Sequence, residues 1–290
     1  MPSHVYGQFE SLESRRLLSS VTLHSNGVLR VVGDDDVTDQ ITLRLSGEQV
    51  SVVVNGGDAQ LFDKADVRLI RVHGRGGNDA ITIDESNGAL GERVEINGGE
   101  GNDVLTGGTG SETIIGAGGD DQIHGNGGSD LLNAGDGNDV ITAGEQRDLI
   151  YAGPGDDDVT AGGGRDFVRG GAGNDTLRGN AGADFLFGEA GSDEIHGDED
   201  ADVIVGGQGD DALHAGEGNN YIFALDGADT VTAGDGNDRA YVGTGPGDQI
   251  DLGGGRNVER ELNVRELLRR FHRDLIREIG FLLRHVYELR

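Results

Sequence analysis

A chain of 290 residues with a formal charge of −30 and a pI near 4.3 is poorly suited to nucleic-acid phosphates or anionic membrane surfaces and well suited to cations. Its 54 glycines, 4% aromatic content and lack of tryptophan exclude a conventional aromatic core and leave two options, disorder or a core assembled from repeated small units. The absence of cysteine excludes disulfides and thiolate metal sites, and no run of ~18 apolar residues offers a membrane span.

Residues 1–20 lack the apolar stretch of a conventional signal peptide and are expected to form an N-terminal export or cap segment. The run Phe9-Glu10-Ser11-Leu12-Glu13-Ser14-Arg15-Arg16-Leu17-Leu18-Ser19 resembles the LEPR-XLL motif of large repetitive proteins from planctomycete-type bacteria, with Ser14 in place of the motif's Pro. That resemblance implies an exported protein; a short amphipathic helix is the structural alternative. Over residues 21–97, strands are expected at Val28 to Val32, Ile41 to Leu45, Val50 to Val54 and Val67 to Val72, separated by turns such as Gly33-Asp34-Asp35-Asp36 and Asn55-Gly56-Gly57. This region reads as irregular β-solenoid coils that start the structure. Within it, Gly74-Arg75-Gly76-Gly77-Asn78-Asp79-Ala80-Ile81-Thr82 looks like a lone, out-of-phase copy of the nonapeptide repeated from Gly98 onward.

From Gly98 to Tyr241 the chain divides into 16 nonapeptides without insertion. Gly170-Gly171-Ala172-Gly173-Asn174-Asp175-Thr176-Leu177-Arg178 is a good copy. Position six is Asp in 14 copies, with Glu112 and Asn220 as exceptions, and position eight is apolar in all 16, from Leu105 to Ala240. Position four is Gly except at Gln146 and Asp200. Glycine at fixed offsets supplies positive φ and close backbone approach in a tight turn. The last three residues of each copy suit a short strand whose middle side chain points inward, so position eight is the expected core. Residues 98–255 are assigned to this array, with a one-residue slip at Asp248.

The pattern G-G-x-G-x-D-x-U-x resembles the hemolysin-type (RTX) calcium-binding nonapeptide repeat. The resemblance implies an all-β parallel β-roll, a right-handed β-solenoid with 18 residues per coil and Ca²⁺ held between turns one coil apart. It arranges the turns in two stacks. The first holds Asp103, Asp121, Asp139, Asp157, Asp175, Asp193, Asp211 and Asp229, with ligand carbonyls expected from Gly101, Gly119, Gly137, Gly155, Gly173, Gly191 and Gly209. The second holds Asp130, Asp148, Asp166, Asp184, Asp202 and Asp238, together with Glu112 and Asn220. Eight turns per stack leave seven gaps each, so at most about 14 ions fit. The array carries 30 acids and five arginines, a net of −25, against +28 from 14 Ca²⁺. Every departure at positions four and six falls in the second stack, which also has Arg147 and Arg165 at position five. The first stack is therefore expected to bind Ca²⁺ better. Without ions, carboxylates about 4.8 Å apart would oppose folding, so binding and folding should be coupled.

Residues 256–290 have nine Arg and six acids, and Val264, Leu268, Phe271, Leu275, Ile279, Leu282 and Val286 recur at helical spacing. A C-terminal amphipathic helix is expected. In the strands after the second stack, the outward positions are Leu149, Tyr151, Phe167, Phe185, Phe187, Val203, Val205, Tyr221, Phe223 and Tyr241, whereas the opposite sheet shows Thr, His and Arg. The tail is expected to lie along this aromatic face; a dimer through the same face is the rival arrangement.

No H-E-x-x-H or G-x-S-x-G motif is present, and no catalytic residue is assigned. His196 and His214 fall one coil apart near Arg178 and read as solvated sheet positions, with a transition-metal site as the alternative. The reading is a secreted bacterial calcium-binding structural module with no nucleic-acid partner. A cell-surface adhesin or polysaccharide-binding protein is the alternative, and a polysaccharide-modifying enzyme a more distant one.

Overall fold

The computed structural model describes residues 19–261, apart from 36, 92 and 244–246. The N-terminal segment expected to serve export or capping lies outside these residues except for Ser19 and Ser20. The part of the expected helical tail beyond residue 261 also lies outside them.

Two 13-stranded sheets enclose one core. From Arg93 onward the chain alternates between them: Arg93–Glu100 lies in the first sheet, Val104–Thr106 in the second, Glu112–Gly118 in the first and Gln122–Asn126 in the second. Strands within each sheet are parallel and shifted by one coil. Thr113 stands beside Leu131, Ile123 beside Ile141 and Val203 beside Tyr221, each 18 residues on. The result is the parallel β-solenoid expected from the repeat.

The short strands follow from the alternation of the nonapeptide. Positions six, eight and one face inward, and the residues between them face out. All 16 position-eight residues, Leu105 through Ala240, are at most 1% exposed. Position one is Gly or a small buried Ala, as at Ala134, Ala152 and Ala224, because the turn crosses close to it. Fully burying a Leu or Ile contributes ~1.5–3 kcal/mol, so this single column on each sheet is the main apolar support of the roll.

Before the array, the coils are more regular than their spacing suggests. Val28–Val32 pairs in parallel with Leu69–Gly76, and Gln40–Ser46 with Ala80–Asp84. Asp79 is thus in phase with Asp103, contrary to the sequence expectation. The extra residues between them are absorbed after Ala80–Asp84, on the opposite side of the roll. Antiparallel strands finish this end: Ser20–Leu23 on the first sheet, and Gln49–Val54 followed by Gln60–Asp63 on the second. At the other end, Gln249–Asp251 and Val258–Glu261 add parallel strands with a 19-residue step. The first sheet therefore reaches into the segment expected to be helical.

The two outer faces differ as expected. On the first sheet, Tyr151, Arg169, Phe187, Val205, Phe223 and Tyr241 form one cross-strand row. Phe223 and Tyr241 stack at 4.8 Å. Arg169 and Arg239 interrupt the apolar rows and lie over the Tyr151 and Tyr221 rings.

Candidate functional site

The turns leading from the first sheet to the second form one column, and those leading back form the other. In the first column each Asp Oδ1 accepts the backbone N–H of the position-six residue one coil earlier. The ladder runs Asp39, Asp79, Asp103, Asp121, Asp139, Asp157, Asp175, Asp193, Asp211, Asp229 and Asp248, with bonds of 2.7–3.1 Å. The second column repeats the arrangement through Glu112, Asp130, Asp148, Asp166, Asp184, Asp202, Asn220, Asp238 and Asn257 at 2.7–2.9 Å. Sequence reasoning grouped the members from Asp103 to Asp238 correctly. It left out Asp39, Asp79 and Asn257 because insertions separate them from the strict period, while Asp248 continues the first column with the one-residue slip expected of it.

The second carboxylate oxygen is the unusual feature. Oδ2 is buried with no hydrogen-bond partner in 15 of these residues: Asp79, every column Asp from Asp103 through Asp229, and all six column Asp from Asp130 to Asp238. A lone buried acceptor normally costs ~1–3 kcal/mol, and more when charged. A series this long therefore indicates a missing counterpart. The space beside each oxygen is confined, since a Cβ at Gly98, Gly116 or Gly188 would overlap the Oδ2 of the same repeat. Position-four carbonyls also run along the first column. A Cβ at Gly137, Gly155 or Gly173 would overlap the carbonyl oxygen of Gly119, Gly137 or Gly155 respectively. Columns of carboxylate and carbonyl oxygens, without sulfur or imidazole, are the donor set that hard divalent cations take.

Charge points the same way. Burial pushes the carboxyls of Asp130, Asp166 and Asp202 up to about 8, those of Asp79, Asp121, Asp148, Asp175 and Asp211 to about 7, and those of Asp103, Asp139, Asp157 and Asp184 to about 6. The bond each accepts from a backbone amide opposes the rise, and for most of them a neighbouring carboxylate adds to it. In the metal-free roll, protons compete for these oxygens.

Residues 95–240 match the model of the RTX calcium-binding nonapeptide repeat, in overlapping segments from 95–123 through 205–240. The chain belongs to the RTX calcium-binding nonapeptide repeat family. None of the curated proteins compared with it matches. The RTX array spans half of the sequence, and the columns above are its turns.

The two columns differ at position five. In the first, an exposed second ladder runs the opposite way: the amides of Asn102, Asp120, Asn138, Asp156, Asn174 and Ser192 each bond to the position-five side chain one coil earlier, and Asp210 and Ala228 continue it. In the second column such bonds join Ser111 to Ser129 and Asn219 to Asn237. Between these pairs stand Arg147, Arg165, Ala183 and Ala201, two cationic side chains and two with no acceptor to offer. At Asn220, Nδ2 replaces the charged oxygen and points to the carbonyls of Gly216 and Glu217, each at 3.5 Å.

Proposed function

We propose that the protein is an extracellular structural module that binds Ca²⁺ between successive turns of both columns and folds as it does so. The observation that carries this reading is the row of 15 buried, partnerless Oδ2 atoms. The ligands are the column aspartates from Asp79 to Asp238, with the position-four carbonyls of Gly101, Gly119, Gly137, Gly155, Gly173, Gly191 and Gly209. Bound Ca²⁺ supplies positive charge that neutralises neighbouring carboxylates. The protein's part is to hold those oxygens in register through the amide-to-Oδ1 ladder. The complete position-five ladder of the first column supports tighter binding there than in the second.

Extracellular calcium modules bind with Kd of ~10⁻⁴–10⁻³ M. Such affinity keeps the roll loose in a calcium-poor cytoplasm and closes it outside. The test is a titration of chelator-treated full-length protein followed by far-ultraviolet circular dichroism. A cooperative gain of β signal with Ca²⁺ and none with Mg²⁺ is expected; a spectrum indifferent to Ca²⁺ overturns the coupling.

A further inference from the structure

The outer face of the second sheet carries a different donor set. Glu194 and His196 are two residues apart in the strand Glu194–Glu199 and so project from one face. His214, at the end of the strand Ala212–His214, stands beside His196 in parallel register. The two imidazoles stack with centroids 4.7 Å apart, and His196 Nε2 lies 2.9 Å from Glu194 Oε1. One ligand atom from each of the three residues lies within 4.8 Å of the others.

The neighbours on either side prepare this group. Thr232, in register with His214, places Oγ1 2.7 Å from His214 Nδ1. With the proton on Nδ1, that bond fixes the ring and leaves the Nε2 lone pair available, as the hydrogen-bond partners behind metal-bound histidines do. Arg178, the strand neighbour of His196 on the other side, is turned back onto Asp158 at 2.8 Å, which draws its charge away from the imidazoles.

We propose that Glu194, His196 and His214 form a site for a borderline divalent transition-metal ion such as Zn²⁺, separate from the calcium turns. Zinc takes three protein ligands and leaves a fourth position open, with bonds of ~2.0–2.2 Å; a tetrahedral set at that length has donors about 3.3 Å apart. Two nitrogens and one oxygen select against Ca²⁺, which requires six to eight oxygens, and favour metals that accept imidazole. A bound ion would cross-link two successive coils on the face opposite the aromatic one, with its free position open to solvent.

Full-length protein in saturating Ca²⁺ is titrated with Zn²⁺ by calorimetry, and with Co²⁺ to read visible d–d absorption. One equivalent of Zn²⁺ and a tetrahedral-type Co²⁺ spectrum are expected. His196→Ala and His214→Ala each abolish both signals, while Thr232→Val, which keeps every ligand, weakens binding about tenfold. Circular dichroism verifies that each variant retains the roll. The proposal is overturned if a folded His196→Ala/His214→Ala double variant binds Zn²⁺ as the parent does. It is equally overturned if the folded parent shows no saturable Zn²⁺ binding.

Discussion

The backbone amide of Asp157 donates to Oδ1 of Asp175 across 3.0 Å, while Oδ2 of the same Asp175 carboxylate is buried without a partner. One oxygen thus serves the fold and the other is reserved. Asp175→Asn keeps the first role and removes the second, and its new amide can point to nearby carbonyls as Asn220 Nδ2 does. The variant should bind at least one Ca²⁺ fewer by elemental analysis yet show no less β signal than the parent in chelator. Asn220→Asp should do the reverse, adding bound calcium and lowering the β signal that remains in chelator.

Acidity should stabilise the metal-free roll. The column carboxyls have folded values of about 6 to 8, above the ~3.9 of an unfolded Asp. The folded state therefore binds more protons in this window, and its stability falls as pH rises from about 4 through 8. Each net ~1 kcal/mol lost lowers Tm by about 2–4 °C at this size. Thermal melts in chelator should show Tm decreasing from pH 5 to pH 8. Saturating Ca²⁺ should flatten or invert that slope, because the ligands then need to be deprotonated.

Glycine at position four is required by contact as well as conformation. Gly155 has φ of 142° and its Cα faces the Gly137 carbonyl oxygen of the preceding coil. Gly155→Ala should destabilise the calcium-loaded protein by ~1–3 kcal/mol in denaturant unfolding. Gly163, at position three, lacks a positive φ, and a Cβ there would meet first a Glu145 side-chain oxygen at 3.2 Å. Gly163→Ala should be close to neutral, which separates the turn requirement from a general loss of flexibility.

Removing residues 262–290 while keeping the last strand, Val258–Glu261, should uncover the aromatic face. Dye binding to exposed apolar surface and self-association by light scattering are expected to rise. A soluble, monomeric truncation with unchanged dye binding would count against the tail's assignment. Cutting at Gly255 is a poorer test, since it also removes the strand paired to Arg239–Val242.

The periodic part of the molecule was legible because one rule covers turn, strand and core: glycine at most of the turn positions where φ is positive, Asp at the inward turn position, and an apolar residue at the inward strand position. The chain outside strict period was not. Asp79 lies 24 residues before Asp103, and spacing alone cannot say on which side of a coil the extra residues bulge. The one-residue slip at Asp248 was legible, but Asn257, which continues the second column after the same 19-residue step, was not. The opposed position-five ladder was missed although its Asn, Asp and Ser residues were visible, since direction depends on which coil supplies the amide. Glu194 was overlooked beside His196 and His214, although positions seven and nine of one repeat share a sheet face.

Every amide-to-Oδ1 bond points the same way, from one coil to the coil after it in sequence. The roll therefore has a head and a foot that need different endings. At the head, Asp39 has an acceptor to spare, which Asn55 Nδ2 and the Asp34 amide occupy. At the foot, Asp248 and Asn257 supply the acceptors that a further coil would have brought. Adding or deleting 18 residues anywhere between leaves both endings intact. The molecule can be lengthened by duplication in steps of ~4.8 Å, which makes it a natural spacer whose reach is set by copy number.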